Sequence, residues 1–165
     1  MMTTAEKLTV LRRAMAQRGL AAYLVPTDDF HASEYAGDYF KAREYLSGFT
    51  GSAGTLLILS SRALLWTDGR YFLQAESQLA GSGIELMRSG EPDVPTLERF
   101  LLAELEDGSL LGFDARTVNT ALARRLGNKL RTKHIRFAGD EDLVDALWPD
   151  RPPLSAAPVW ELGID

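Results

Sequence analysis

Only Ser60-Ser61-Arg62 separates two five-residue apolar runs, Thr55–Leu59 and Ala63–Thr67. Runs of that length and composition read as strands, and three residues between them suffice only for an antiparallel hairpin. Elsewhere, apolar runs alternate with segments of helical period, which is the pattern of strands joined by crossover helices. A chain that carries both patterns is expected to build an α/β fold with a mixed β-sheet flanked by helices on both faces.

The other elements follow from spacing and punctuation. Thr3 to Arg18 places Leu8, Leu11 and Met15 on one helical face, and Gly19 stands as a stop. Ala21–Pro26 is a buried strand ended by proline. Thr27–Phe40 is irregular, both polar and aromatic, and Lys41–Phe49 makes a short helix. Asp68 is placed to cap a helix over Gly69–Leu79. Ile84–Arg88 is a strand. Pro95 suits the first turn of a helix running through Leu105, with Leu97, Leu101 and Leu105 on one face. Leu110–Asp114 and His134–Phe137 are strands flanking a helix over Asn119–Arg131, and Leu143–Trp148 gives one or two helical turns. Arg151–Pro158 holds three prolines and no helical period, so it reads as an extended linker. The expected organisation is one domain over residues 1–150. Residues 151–165 then form a linker and the start of a further packed unit, signalled by Trp160.

Composition excludes several function classes. Of 165 residues, 45% are hydrophobic and 25% charged, which supports a real core. The absence of cysteine removes disulfides, zinc–thiolate sites and thiol nucleophiles. A net charge of −5 gives no basic footprint, so no nucleic-acid partner is expected. No apolar stretch approaches the roughly 20 residues that span a bilayer, so no membrane partner is expected. The N-terminus shows no apolar h-region, and the expected location is the cytoplasm.

Gly48-Phe49-Thr50-Gly51-Ser52-Ala53-Gly54 has a G-x-x-G-x-x-G spacing. A phosphate-cradling loop must open a helix, and this one runs into a strand. Close backbone packing is the better reading. Ser52 does not sit in a nucleophile elbow, because Thr50 occupies its first glycine position, and only His31 and His134 exist to serve as a base. His31 and Glu34, three apart, are at most half a metal site, and three or more protein ligands are needed. No catalytic and no metal-binding residue is therefore assigned within the chain. Asp68 and Arg70 lie between aromatic residues. Either Arg70 pairs with a nearby carboxylate, or it reaches a substrate carboxylate or a neighbouring domain.

Three blocks carry a resemblance: Asp29-Phe30-His31-Ala32-Ser33-Glu34-Tyr35, Ser47–Thr55 through the glycine loop, and Leu65-Trp66-Thr67-Asp68-Gly69-Arg70-Tyr71-Phe72-Leu73-Gln74-Ala75. Together they resemble the N-terminal domain of the creatinase/prolidase metallopeptidase family, in the form found in cytosolic Xaa-Pro aminopeptidases. Val144–Pro152 looks like the end of that family's first domain, and Leu162-Gly163-Ile164-Asp165 like the opening of its second. The resemblance implies an enzyme that removes an N-terminal residue preceding proline. It uses two divalent metal ions, usually manganese, in a C-terminal domain absent from this chain. The ligands of those ions are not present here, so no cofactor is expected in this domain and the isolated chain is expected to be inactive. The implied partners are the chain's own catalytic domain, peptides with proline at the second position, and further copies in a homo-oligomer. The resemblance further implies that His31, Glu34, Tyr35 and Arg70 line the mouth of the catalytic cleft and restrict access to it. Two other assignments stay open: a non-enzymatic peptide-binding module of the same fold, and the partner domain of a prolidase or creatinase.

Overall fold

The structure, a computed structural model, describes residues 2–158 together with Trp160, Glu161 and Gly163. The Leu162–Asp165 segment read as the opening of a further unit lies, but for Gly163, outside the described residues. Helix α1 spans Thr4–Gln17. Thr3 caps it through a capping box, in which its hydroxyl accepts from the Glu6 N–H while the Glu6 carboxylate accepts from the Thr3 N–H. Leu8, Leu11 and Met15 are its buried face, and Gly19 ends it at φ +65°. Strand β1 (Ala22–Pro26) follows, then a 3₁₀ turn at Asp38–Phe40 and helix α2 (Ala42–Ser47).

The expected hairpin is present: β2 (Thr55–Leu59) pairs antiparallel with β3 (Ala63–Thr67), Leu57 opposite Leu64. Then come α3 (Phe72–Leu79), β4 (Glu85–Arg88), α4 (Leu97–Glu104), β5 (Leu110–Phe113), α5 (Thr120–Leu130) and β6 (Arg136–Ala138). The six strands lie in the order β4-β3-β2-β1-β5-β6. Strand β2 is antiparallel to both of its neighbours, and the other pairings are parallel, so β2 alone runs against the rest.

The pleat divides the core. Tyr23, Val25, Leu56, Ile58, Ala63 and Leu65 point to the layer holding α1, α2 and α3. Ala22, Leu24, Leu57, Leu59, Leu64 and Trp66 point to the layer holding α4 and α5. Alternate residues thus face opposite buried layers, which is why the strands read as unbroken apolar runs. Each buried leucine contributes about 1.5–3 kcal/mol of transfer free energy.

Three local expectations shift. Helix α3 begins at Phe72 rather than Gly69, with no side-chain cap, because the Asp68 carboxylate is held by Arg70 instead. Helix α4 is capped by Thr96, whose hydroxyl accepts from the Arg99 N–H, and Pro95 stands before the helix. His134 is in a left-handed turn at φ +49° ahead of β6, which starts at Arg136. The Leu143–Trp148 segment forms a 3₁₀ turn at Asp145–Leu147. Among the described residues, no helix is long and apolar enough to cross a membrane.

Candidate functional site at one end of the sheet

The register across the hairpin fixes where the three sequence blocks meet. Pro26 lies opposite Thr55, and Thr55 opposite Trp66. The segments leaving β1 and β3 and the segment entering β2 therefore emerge at the same end of the sheet. Hydrogen bonds tie them together: the Thr27 N–H donates to Gly54 O at 2.8 Å, and the Thr67 hydroxyl to Ala53 O at 2.7 Å.

Beneath the glycine loop lies a charged group. Arg43 is only 4% exposed, since the helical period of α2 puts it on the buried face with Ala42, Leu46 and Ser47. Its Nε donates to the Thr27 hydroxyl at 2.7 Å, and its two terminal nitrogens donate to the carbonyls of Phe49 and Gly51. The guanidinium lies 4.8 Å from the centre of the Phe49 ring. Among the described residues no carboxylate pairs with Arg43; its acceptors are neutral oxygens. Burial pushes its pKa down to about 10, so it remains a cation at neutral pH. The fork holds two carbonyls of the glycine loop at once, a geometry a lysine could not reproduce.

The glycine spacing serves the same packing. Gly48 takes the left-handed conformation at φ +73° to end α2. A side chain on Gly51 would run into the Phe49 ring and come 2.9 Å from Tyr71. The loop runs into β2 and opens no helix, as its sequence context implied.

Against this floor stands a cleft of about 230 Å³, lined among others by Glu34, Tyr35, Lys41, Glu44, Thr50 and Ser52. Ser52 and Tyr71 share a hydrogen bond of 2.6 Å across its rim. Thr50 is fixed by Gln74 and Gln78, each donating to its hydroxyl at 2.9 Å. Of the four singled-out residues, Glu34 and Tyr35 share this cleft, and Tyr35 is 80% exposed. Arg70 is exposed on the neighbouring turn. Its guanidinium grips Asp68 with two bonds of 2.9 Å, so it pairs with a nearby carboxylate. The Asp68 carboxylate raises the Arg70 pKa, the Glu34 charge adds a smaller push, and Arg70 in turn holds Asp68 below its ordinary value.

His31 is placed differently. Its ring packs edge-on against Phe30 at 4.3 Å and is exposed, away from the cleft lining. Residues 30–36 form turns rather than a helix, so His31 and Glu34 do not share a helical face. Asp29 shapes this stretch, its carboxylate accepting from the N–H groups of His31 and Ser33 at 2.8 and 3.0 Å. Burial pushes the Asp29 carboxyl up, but the N–H donors, Ser33 first, outweigh it and leave it below its ordinary value. Among the described residues, no group of three or more His, Asp or Glu could hold a metal ion.

A second cluster, not anticipated from the sequence, sits behind the Thr27–Phe40 loop. Asp142 accepts from Arg116 at 3.0 Å and from Arg151 at 2.6 Å, and both arginines pack on Tyr39. Tyr39 and Arg116 lie far along the chain from each other and from the Asp142–Arg151 stretch, so no spacing in the sequence could have marked the cluster. Arg43 had a signal: a charged residue in phase with Ala42, Leu46 and Ser47 on a short helix.

Comparison with known proteins places this geometry. The family model of the creatinase/prolidase N-terminal domain matches residues 7–147. The chain is 41% identical over 163 residues to a probable Xaa-Pro aminopeptidase P of Laccaria bicolor, covering 98% of this chain and 25% of that protein. It is 41% identical over 152 residues to aminopeptidase P2 of Arabidopsis thaliana, covering 90% of this chain and 21% of that protein. The chain thus spans about a quarter of the length of the curated relatives it matches. Among solved structures, the X-prolyl aminopeptidase of Caenorhabditis elegans, described as a cytosolic enzyme with a di-nuclear active site, superposes with TM-score 0.85 at 39% identity. That match covers 94% of this chain and 27% of the other. The N-terminal domain of cytoplasmic peptidase PepQ from Mycobacterium tuberculosis superposes with TM-score 0.60 at 28% identity, covering 86% of this chain and 97% of that one. Fold, family model and relatives agree: the chain belongs to the creatinase/prolidase N-terminal domain family.

Proposed function

We propose that this chain is the non-catalytic N-terminal domain of a cytosolic Xaa-Pro aminopeptidase, and that its loop end restricts which peptides reach a catalytic centre borne elsewhere in the protein. The observation that carries this reading is the extent of the match. Nearly the whole chain aligns with a quarter of each Xaa-Pro aminopeptidase relative. In the full-length protein, two divalent metal ions, manganese as the first choice, would activate water and polarise the scissile carbonyl. Residues 1–150 form the domain, and 151–165 lead toward the next one.

This chain's part is steric and electrostatic. Glu34 and Tyr35 project into an open cleft whose floor is held rigid by Arg43. Exposed groups on a rigid loop can contact a passing peptide without taking part in its chemistry. Arg70, its fork already committed to Asp68, stands exposed on the neighbouring turn, outside the cleft lining.

The test is kinetic. The 165-residue chain with added manganese should give no turnover of an Xaa-Pro-Xaa peptide, whereas the full-length protein should cleave it. In the full-length protein, Glu34→Ala and Tyr35→Ala should each raise KM by about three- to tenfold with kcat near wild type, as expected when uniform binding is lost. Turnover by the isolated chain would sink the proposal. A full-length protein that binds peptides without cleaving them would replace it with the peptide-binding reading.

A further inference from the structure

Arg151 is the first residue of the proline-rich exit segment, yet its side chain is only 5% exposed. Surface linkers rarely bury a charged head, and this one is engaged through Nε and Nη1. Its Nη1 donates to Asp142 at 2.6 Å and to Asp145 at 3.1 Å. Its Nε donates to the backbone carbonyl of Tyr39 at 2.8 Å, and the guanidinium lies 3.9 Å from the centre of the Tyr39 ring. From another direction, Arg116 donates to the Tyr39 hydroxyl at 3.1 Å and to the same Asp142 oxygen at 3.0 Å. Tyr39 is thus held at its carbonyl, its ring and its hydroxyl by two arginines that share one carboxylate.

Tyr39 belongs to the Thr27–Phe40 loop, the one that carries Glu34 and Tyr35. Beyond Arg151, the exit segment runs along this loop. Phe30, Tyr39 and Phe40 face Pro152, Pro153 and Leu154 across a groove of about 420 Å³. Phe30 in turn packs edge-on against Phe40 at 5.2 Å. The chain's way out and the rim of the cleft are therefore joined through one side chain.

We infer that Arg151 is a positioning residue: it latches the exit segment to the Thr27–Phe40 loop, so that the direction in which the chain leaves the domain sets the placement of the cleft rim. The cleft's role rests on the function proposed above, but the latch itself does not. Four engagements of one guanidinium, to two carboxylates, a carbonyl and a ring, demand a planar fork that lysine lacks. Loss of the fork releases the Tyr39 carbonyl and loosens the loop there, while Arg116 keeps the Tyr39 hydroxyl and stays paired to Asp142, so the sheet beneath is untouched.

Amide hydrogen exchange on the 165-residue chain tests the latch without any activity measurement. In Arg151→Ala, the amides of Ala32, Phe40 and Lys41, which close the turns of the loop, should exchange about tenfold faster, while those of β1 and β2 stay at wild-type rates. Arg151→Lys, which keeps the charge near Asp142, should show the same loop-specific acceleration and serves if the alanine variant does not fold. Unchanged loop exchange, or acceleration spread equally over the sheet, overturns the inference. In a full-length protein that cleaves Xaa-Pro peptides, both variants should raise KM by about tenfold and hold kcat within about twofold. An unmoved KM there also overturns it. A full-length protein inactive on such peptides removes the proposed function and leaves the exchange result to decide the latch.

Discussion

Gly51 is covered by two aromatic rings, and the loop's conformation depends on nothing larger fitting there. A methyl group at this position would collide with the Phe49 ring and reach within 2.9 Å of Tyr71. Phe49 is fully buried and carries the Arg43 guanidinium on its face, so it has no room to yield. Gly51→Ala is therefore expected to destabilise the domain by about 1–3 kcal/mol, as overpacking does. Gly37 is the internal control, with φ −60°, ψ 157° and nothing within 4 Å of an added methyl. Gly37→Ala should be neutral or stabilising by about 0.4–1 kcal/mol, through the unfolded chain. Urea unfolding of both variants decides the matter, and equal midpoints would remove the close-packing account. The two arginines differ in how far the sequence reveals them. Arg70 sits two residues from Asp68, and the pairing that this spacing suggests is the one found. Arg43 has the helical phase of a buried residue, but its acceptors are backbone carbonyls of a loop whose path the sequence does not draw.

Elements were legible where a local rule and the tertiary environment agree. The hairpin follows from two apolar runs and a three-residue turn, and β1 from an apolar run stopped by proline. Helix α1 was visible from the spacing of Leu8, Leu11 and Met15 and from Gly19, which closes it; the Thr3/Glu6 capping box that opens it emerges from the structure. The Thr27–Phe40 loop was not legible, because its shape is set by Asp29 on one side and by Arg116, Asp142 and Arg151 on the other, residues far away along the chain. The start of α3 was misplaced for a local reason. The Asp68 carboxylate is a good cap in isolation, but the Arg70 N–H and guanidinium two residues on compete for it and win. The capping box is open to a direct test. Thr3→Ala should cost about 1 kcal/mol and lower Tm by roughly 2–4 °C. Glu6→Ala should cost less, and the double variant less than the sum of the two, since each partner serves the other. Full additivity would show that the two residues act independently.

At the scale of the whole molecule, one sheet covered on both faces leaves its ends to do the work that faces cannot. The end where β1 and β3 finish gathers the cleft, the glycine loop and the latch, and charge pairs lie at both ends of the sheet. Several exposed carboxyls are held below their ordinary values. Glu6 is lowered by the Thr3 N–H, Asp68 by Arg70, Glu85 by Arg62 and Glu141 by Arg18. The sign of the effect follows from linkage: a carboxyl that is more acidic in the folded state binds fewer protons there than in the unfolded chain. Its contribution is complete above the ordinary values, 3.8 for aspartate and 4.5 for glutamate, and is lost as pH falls through the lowered ones. Stability should therefore be level with respect to these groups from neutrality down to those ordinary values, then fall as the pH drops below them. The three ion pairs, Arg70 with Asp68, Arg62 with Glu85 and Arg18 with Glu141, are largely solvent-exposed, so each contributes little and salt screens it, whereas Glu6 is held by hydrogen bonds from Thr3. The acid loss should accordingly shrink when the titration is repeated at about 1 M salt, where the Debye length is roughly 3 Å. The urea midpoint measured across the acid range at low and high salt is the readout. A midpoint that holds from pH 6 to pH 3, or an acid loss indifferent to salt, would mean that these pairs do not stabilise the fold.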